Sequence, residues 1–177
     1  LERCDQIKRS IEFSGKAKAM LSLKYDNIAF KINSIQLSVI MVSAIITLIE
    51  TLGTQYKLSA FMNSIVPILL ATYIAFILSI YRFFKLDDKK ELISKTLESY
   101  SYIINKSRRT KHRIKNFDIS EKNLELWENI ISNYENEVYE YLLTTREIYE
   151  NILHYKELVH YKRKLLNYYV KNAFAHK

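Results

Sequence analysis

The chain has 177 residues, and its 27 Lys and Arg against 19 Asp and Glu give a formal charge of +8. Two glycines and one proline leave few places to turn, which argues against strand-rich folds and for long helices. The lone Cys4 excludes an intrachain disulfide and a cysteine zinc site, while the basic balance suits an anionic membrane face or nucleic acid.

Residues 2–31 mix charge with scattered apolar positions. Ile7, Ile11, Ala17, Met20, Leu21 and Ile28 give a broken helical period, with Gly15 at a bend or helix boundary. This predicts a pre-membrane helix over 1–31, with Lys16, Lys18, Lys24 and Lys31 on the approach to the apolar stretch that begins at Ile32. One reading lays this helix on anionic head groups; the other packs it on the later helices. Its thin apolar face favours packing.

Residues 32–81 are the centre of the reading. Two stretches without charge, between Lys31 and Glu50 and between Lys57 and Arg82, flank a short turn with Gly53, Thr54 and Gln55 at its tip. About 20 apolar residues in helix cross a hydrocarbon layer roughly 30 Å thick. The expected spans are about 32–52 and 58–81, in a transmembrane hairpin over 32–84. The mean hydropathy of −0.15 averages this hairpin with charged flanks.

The first span carries a polar stripe. Asn33, Gln36, Ser43, Thr47 and Glu50 follow spacings of three, seven, four and three, with Ile40 filling the gap. Polar groups in hydrocarbon face protein or a wet cavity. The stripe either lines a pore in an oligomer, with Glu50 at one mouth, or hydrogen-bonds to the second span while its hydroxyls satisfy their own backbone. Such bonding is the more ordinary arrangement. In the second span, Ala71, Ala75 and Ser79 at four-residue intervals suit close helix packing, and Pro67 predicts a kink. Tyr81, Arg82, Phe83, Phe84 and Lys85 read as an interfacial belt. Arg82, Lys85, Lys89 and Lys90 after the second span, and the lysines before the first, outnumber the single Lys57 of the turn. The positive-inside bias then puts both termini in the cytoplasm or, for a virus, the virion interior.

A cytoplasmic helical region extends over 85–177, with helices about 87–115 and 120–172. Ile93, Leu97, Tyr100 and Ile104 mark the inner face of the first. Its end is a basic patch of Lys106, Arg108, Arg109, Lys111, Arg113 and Lys115. Three ligands fit the patch: nucleic acid, anionic lipid, or the acidic stretch 121–150 folded back antiparallel around a turn at 116–120. No nucleic-acid fold signature accompanies it, so lipid or local neutralisation is favoured. Asp118 with Glu121 resembles a capping box. A seam then runs through Leu124, Trp127, Ile131, Tyr134, Val138, Tyr141, Thr145, Ile148, Ile152, Tyr155, Val159, Lys162, Leu166 and Tyr169. Spacings of three and four sustained this far predict a coiled-coil-like contact, in a bundle or with a protein partner.

No Gly-rich phosphate loop or nucleophile elbow occurs. Glu150, His154, Glu157 and His160 are three or four apart, but without an HExxH motif the spacing is weak. The chain is read as non-enzymatic, without metal or cofactor.

The hairpin and its borders, residues 25–53 and 65–93, resemble the SLATT superfamily of two-span proteins, in a form similar to those of large DNA viruses and some protists. The resemblance rests on Asn33 before the first span, Thr47 with Glu50 near its end, and the exit Arg82, Phe83, Phe84, Lys85. It covers about a third of the chain and implies an oligomeric membrane effector that forms pores or perturbs membranes, or a virion-membrane component.

The expectation is thus an all-α, two-pass membrane protein with long cytoplasmic helices forming a bundle or seam. It is expected to assemble into a homo-oligomer, most simply a pore. The alternatives are a structural tether to a protein partner or shell through 124–169, and a membrane-anchored nucleic-acid binder.

Overall fold

Nothing in the first third of the chain stops a helix, since its one proline comes at position 67. In the computed structural model, which describes residues 2–56, 59, 61–115 and 124–175, α1 runs unbroken over Glu2–Tyr56. Gly15 lies inside it, and a Cβ there would meet nothing within 4 Å. One glycine costs a helix only about 1 kcal/mol against alanine, too little to break it. The helix expected over 1–31 is therefore the first half of α1. The expected turn tip at Gly53, Thr54 and Gln55 is also helical. Lys57 lies outside the described residues.

A π-helical turn, Phe61–Ile65, leads into α2, Val66–Phe83. Pro67 sits in the first turn of α2, not in its interior. Because the π turn runs straight into α2, the missing N–H leaves a carbonyl of that turn without its helical donor, and the change of winding falls there, close to the expected kink. Then come α3 (Leu86–Lys115), α4 (Leu124–Tyr134), a second π turn (Glu135–Tyr139), α5 (Glu140–Ile152) and α6 (Tyr155–Ala175). Among the described residues every element is helical. The expected turn at 116–120 and the Asp118–Glu121 box lie outside the described residues.

The chain divides into two compact units. One is Leu1–Tyr25 with Leu92–Lys177; the other is Asp26–Glu91. In the first, α3 runs antiparallel to α4 and α5. Ser99 Oγ meets the Tyr141 hydroxyl at 3.2 Å, and Ser107 Oγ meets that of Tyr134 at 2.9 Å. Between these two pairs lies an ion pair of Lys106 with Glu137 at 2.5 Å. The buried residues of α3 are Ile93, Thr96, Tyr100, Ile103, Ile104, Ser107 and Thr110. Ile93, Tyr100 and Ile104 are expected there, and Leu97, also expected, is half-buried. Thr96, Ser107 and Thr110 escape a search for apolar spacing, although they fill the same 3–4 repeat.

The first turns of α1 complete this bundle with Ile7, Ser14, Ala17 and Leu21. At its centre the Tyr149 ring stands edge-on to Tyr100 at 6.0 Å and to Phe13 at 6.4 Å. The Arg146 guanidinium lies over Phe13, 5.5 Å from the ring centre. Burial pushes the Tyr100 hydroxyl well above its usual range and Tyr149 also upward.

The helix expected over 120–172 is broken. Leu153 is extended (φ −108°, ψ 92°) and closes α5 by its N–H to the Tyr149 carbonyl. The Lys24 ammonium bridges the gap, donating to the Ile152 carbonyl at 2.6 Å and to the Glu157 carboxylate at 2.5 Å. A cation on the last carbonyls of one helix and a carboxylate in the first turn of the next both favour the helix ends. The break shifts the seam by one residue. Ile131, Val138 and Thr145 are buried as expected, but beyond the break Leu158, Tyr161 and Leu165 turn inward. Val159, Lys162, Leu166 and Tyr169, expected in the seam, are exposed. A lysine in the expected seam was the trace of this slip.

Candidate membrane and oligomer interface

Within the unit Asp26–Glu91, α1 turns one face inward. Ile28, Ile32, Ile35, Val39, Val42, Ile46, Ile49 and Gly53 are buried or half-buried, at alternating spacings of four and three. α2 does the same with Pro67, Leu70, Ile74, Ile77 and Tyr81. Composition hides this seam, because many outward residues beside it, such as Leu37, Ile40 and Leu48, are just as apolar.

Away from these faces the helices are bare. Leu37, Ile40, Met41, Leu48, Ile68, Leu69 and Phe76 are each more than half exposed. Both helices are long and apolar enough to cross a membrane, and only 6% of the apolar window in each is buried. In the core hairpin of a soluble protein most of that window would be buried. Leaving seven such side chains in water forgoes on the order of 10 kcal/mol, comparable to the whole stability of a domain.

The polar stripe of the first span is exposed throughout. Asn33, Gln36, Ser43, Thr47 and Glu50 each come one position after an inward residue, or about 100° around the helix. Two of its hydroxyls are spent on their own backbone: Ser43 Oγ donates to the Val39 carbonyl at 2.8 Å and Thr47 Oγ1 to that of Ser43 at 3.1 Å. Ala71, Ala75 and Ser79 also face outward, and Ser79 Oγ donates to the Ala75 carbonyl at 2.8 Å.

The exit from α2 is a built break. Phe84 N–H reaches the Ile80 carbonyl and Lys85 N–H that of Arg82, both at 3.1 Å. Lys85 adopts φ 47°, a conformation glycine usually supplies at a helix end. The Tyr81 hydroxyl and the Asp87 carboxylate interact across the break. Phe83 and Phe84 stand edge to face at 5.5 Å, and both are exposed beside exposed Arg82 and Lys85.

In the basic patch, Lys106 is engaged with Glu137, whose hydrogen bond raises the ammonium pKa. Arg108, Arg109, Arg113 and Lys115 are exposed and Lys111 half-exposed. Among the described residues, the internal neutralisation of the patch is the Lys106–Glu137 pair.

A cleft of about 530 Å³ opens where Gln6, Ile7 and Ser10 face the second π turn, with Ile131, Val138 and Leu142 supplying an aliphatic wall. Ser10 Oγ is buried there without a hydrogen bond among the described residues. Of the spaced acids and histidines, Glu150 is held by Arg146 and Glu157 by Lys24. Among the described residues no three His, Cys, Asp or Glu side chains gather as a metal site. The Lys24 bridge is the feature sequence reasoning missed: with no Gly or Pro at the break, no local signal marks it.

Compared with known protein families, curated proteins and solved structures, the chain matches none.

Proposed function

We propose that the protein is an oligomeric two-span membrane protein whose subunits meet along the polar stripe of α1 and enclose a pore. The observation that carries this is the position of the stripe. Asn33, Gln36, Ser43, Thr47 and Glu50 lie off the face α1 turns inward, on a surface that also bares Leu37, Ile40, Met41, Ile45 and Leu48. Asn, Gln and Glu are costly against lipid tails, so another subunit or an aqueous lumen covers them. The second span is not needed to satisfy Ser43 and Thr47, which use their own carbonyls. The resemblance of the hairpin to SLATT-type effectors points the same way. A tether through 124–169 is the weaker reading, because Ile131, Val138 and Thr145 of that seam are already spent inside the bundle. The remaining cations of the 108–115 patch suit anionic lipid head groups, with nucleic acid as the lesser alternative.

The test is conductance of the purified chain in planar bilayers. A pore lined by the stripe conducts cations, and Glu50→Gln lowers its cation selectivity while leaving the mass of the detergent-solubilised assembly unchanged. A monomer that carries no current overturns the proposal.

A further inference from the structure

The outer face of α6 takes no part in the core of the bundle. The inward residues of this helix are Leu158, Tyr161 and Leu165. About 100° around the helix, Val159, Leu166 and Val170 make a second apolar stripe, 49%, 63% and 47% exposed. Lys162 borders one edge of that stripe and Lys156 and Arg163 the other, all three exposed. Among the described residues none of these cations is paired with a carboxylate. Glu157, the one acid of α6, lies about 160° from Val159 and is held by Lys24 at 2.5 Å.

An aliphatic stripe with cations along both edges and no anion among them has a definite complement. It fits the boundary of an anionic bilayer, where the aliphatic groups enter the acyl layer and the long basic side chains reach back to phosphate. A nucleic acid would use the cations and leave the stripe wet.

We propose that α6 lies in the head-group layer of an anionic membrane, with Val159, Leu166 and Val170 inserted and Lys156, Lys162 and Arg163 on lipid phosphates. This rests on the two-span reading of residues 32–81. The test uses the full chain with Cys4→Ser and a single reporter cysteine, Leu166→Cys or Lys164→Cys, carrying an environment-sensitive dye. Each is reconstituted in phosphatidylcholine vesicles with or without phosphatidylserine. The proposal expects blue-shifted emission at 166 only with phosphatidylserine, reversed by high salt, and none at 164. Replacing Lys156, Lys162 and Arg163 by Gln lowers the bound-to-free ratio of the helix about 100-fold and abolishes the shift. Equal emission at 166 in both vesicles, from a chain that resists carbonate extraction, overturns the proposal and leaves the spans standing. A blue shift in detergent that grows with protein concentration also overturns it, by showing that a second copy covers the stripe. Release of the chain by carbonate removes the two-span reading and this proposal with it.

Discussion

At the scale of single residues, two side chains of the helical bundle carry more than their share. Tyr100 is fully buried, yet its hydroxyl makes no hydrogen bond among the described residues. A buried polar group without a partner costs about 1–3 kcal/mol. Tyr100→Phe is therefore expected to raise the stability of the bundle by about 1 kcal/mol in urea or thermal melts. The same burial gives a pH dependence. The folded-state pKa values of Tyr100 and Tyr149 lie above the ordinary value of 10.0. Their contribution to stability is whole below about pH 10. It is lost as pH rises from there through the raised folded values, because only unfolding lets the phenols ionise. Melts taken at increasing pH from pH 8 should fall steeply near pH 10 and above, and less steeply in Tyr100→Phe. Lys24 is the second. Its side chain is 13% exposed and Glu157 is 45% exposed. Screening at the exposed end reduces the pair, so Lys24→Met is expected to cost about 1–2 kcal/mol. The loss should show as faster amide exchange at the start of α6.

At the scale of elements, the sequence was legible where chemistry contrasts and illegible where it does not. The break after α2 was visible because charge begins at Arg82. The inner face of α3 was half visible: Ile93, Tyr100 and Ile104 stand out, while Thr96 and Ser107 look like surface residues. The inward seam of α1 from Ile28 to Gly53 could not be picked out by hydropathy, because outward residues such as Leu37, Ile40, Met41 and Leu48 are as apolar as the inward ones. The polar stripe beside it could, since amide, hydroxyl and carboxylate groups contrast with an apolar run. The break at Leu153 was invisible, because no local glycine or proline marks it and the Lys24 side chain that bridges it is distant in sequence. The slipped seam gives a sharp comparison. Tyr161 is 4% exposed and Val159 49% exposed. Tyr161→Ala should cost about 3–5 kcal/mol, as for other large aromatic truncations. Val159→Ala should stay within about 0.5 kcal/mol. An unbroken seam through 159, 162 and 166 would reverse that order in thermal melts.

At the scale of the whole molecule, the two units of the chain show different surfaces. The unit built on α3, α4 and α5 buries its aromatic and aliphatic residues and shows charge outward, as water requires. The unit Asp26–Glu91 shows its aliphatic residues outward along both long helices. Pore, surface helix and subunit contact all depend on that second unit being dissolved in lipid. The most direct test is alkaline carbonate extraction of membranes from cells expressing the full chain. The account predicts that the chain stays in the membrane pellet and leaves it only with detergent. Recovery of the chain in the carbonate supernatant would contradict it.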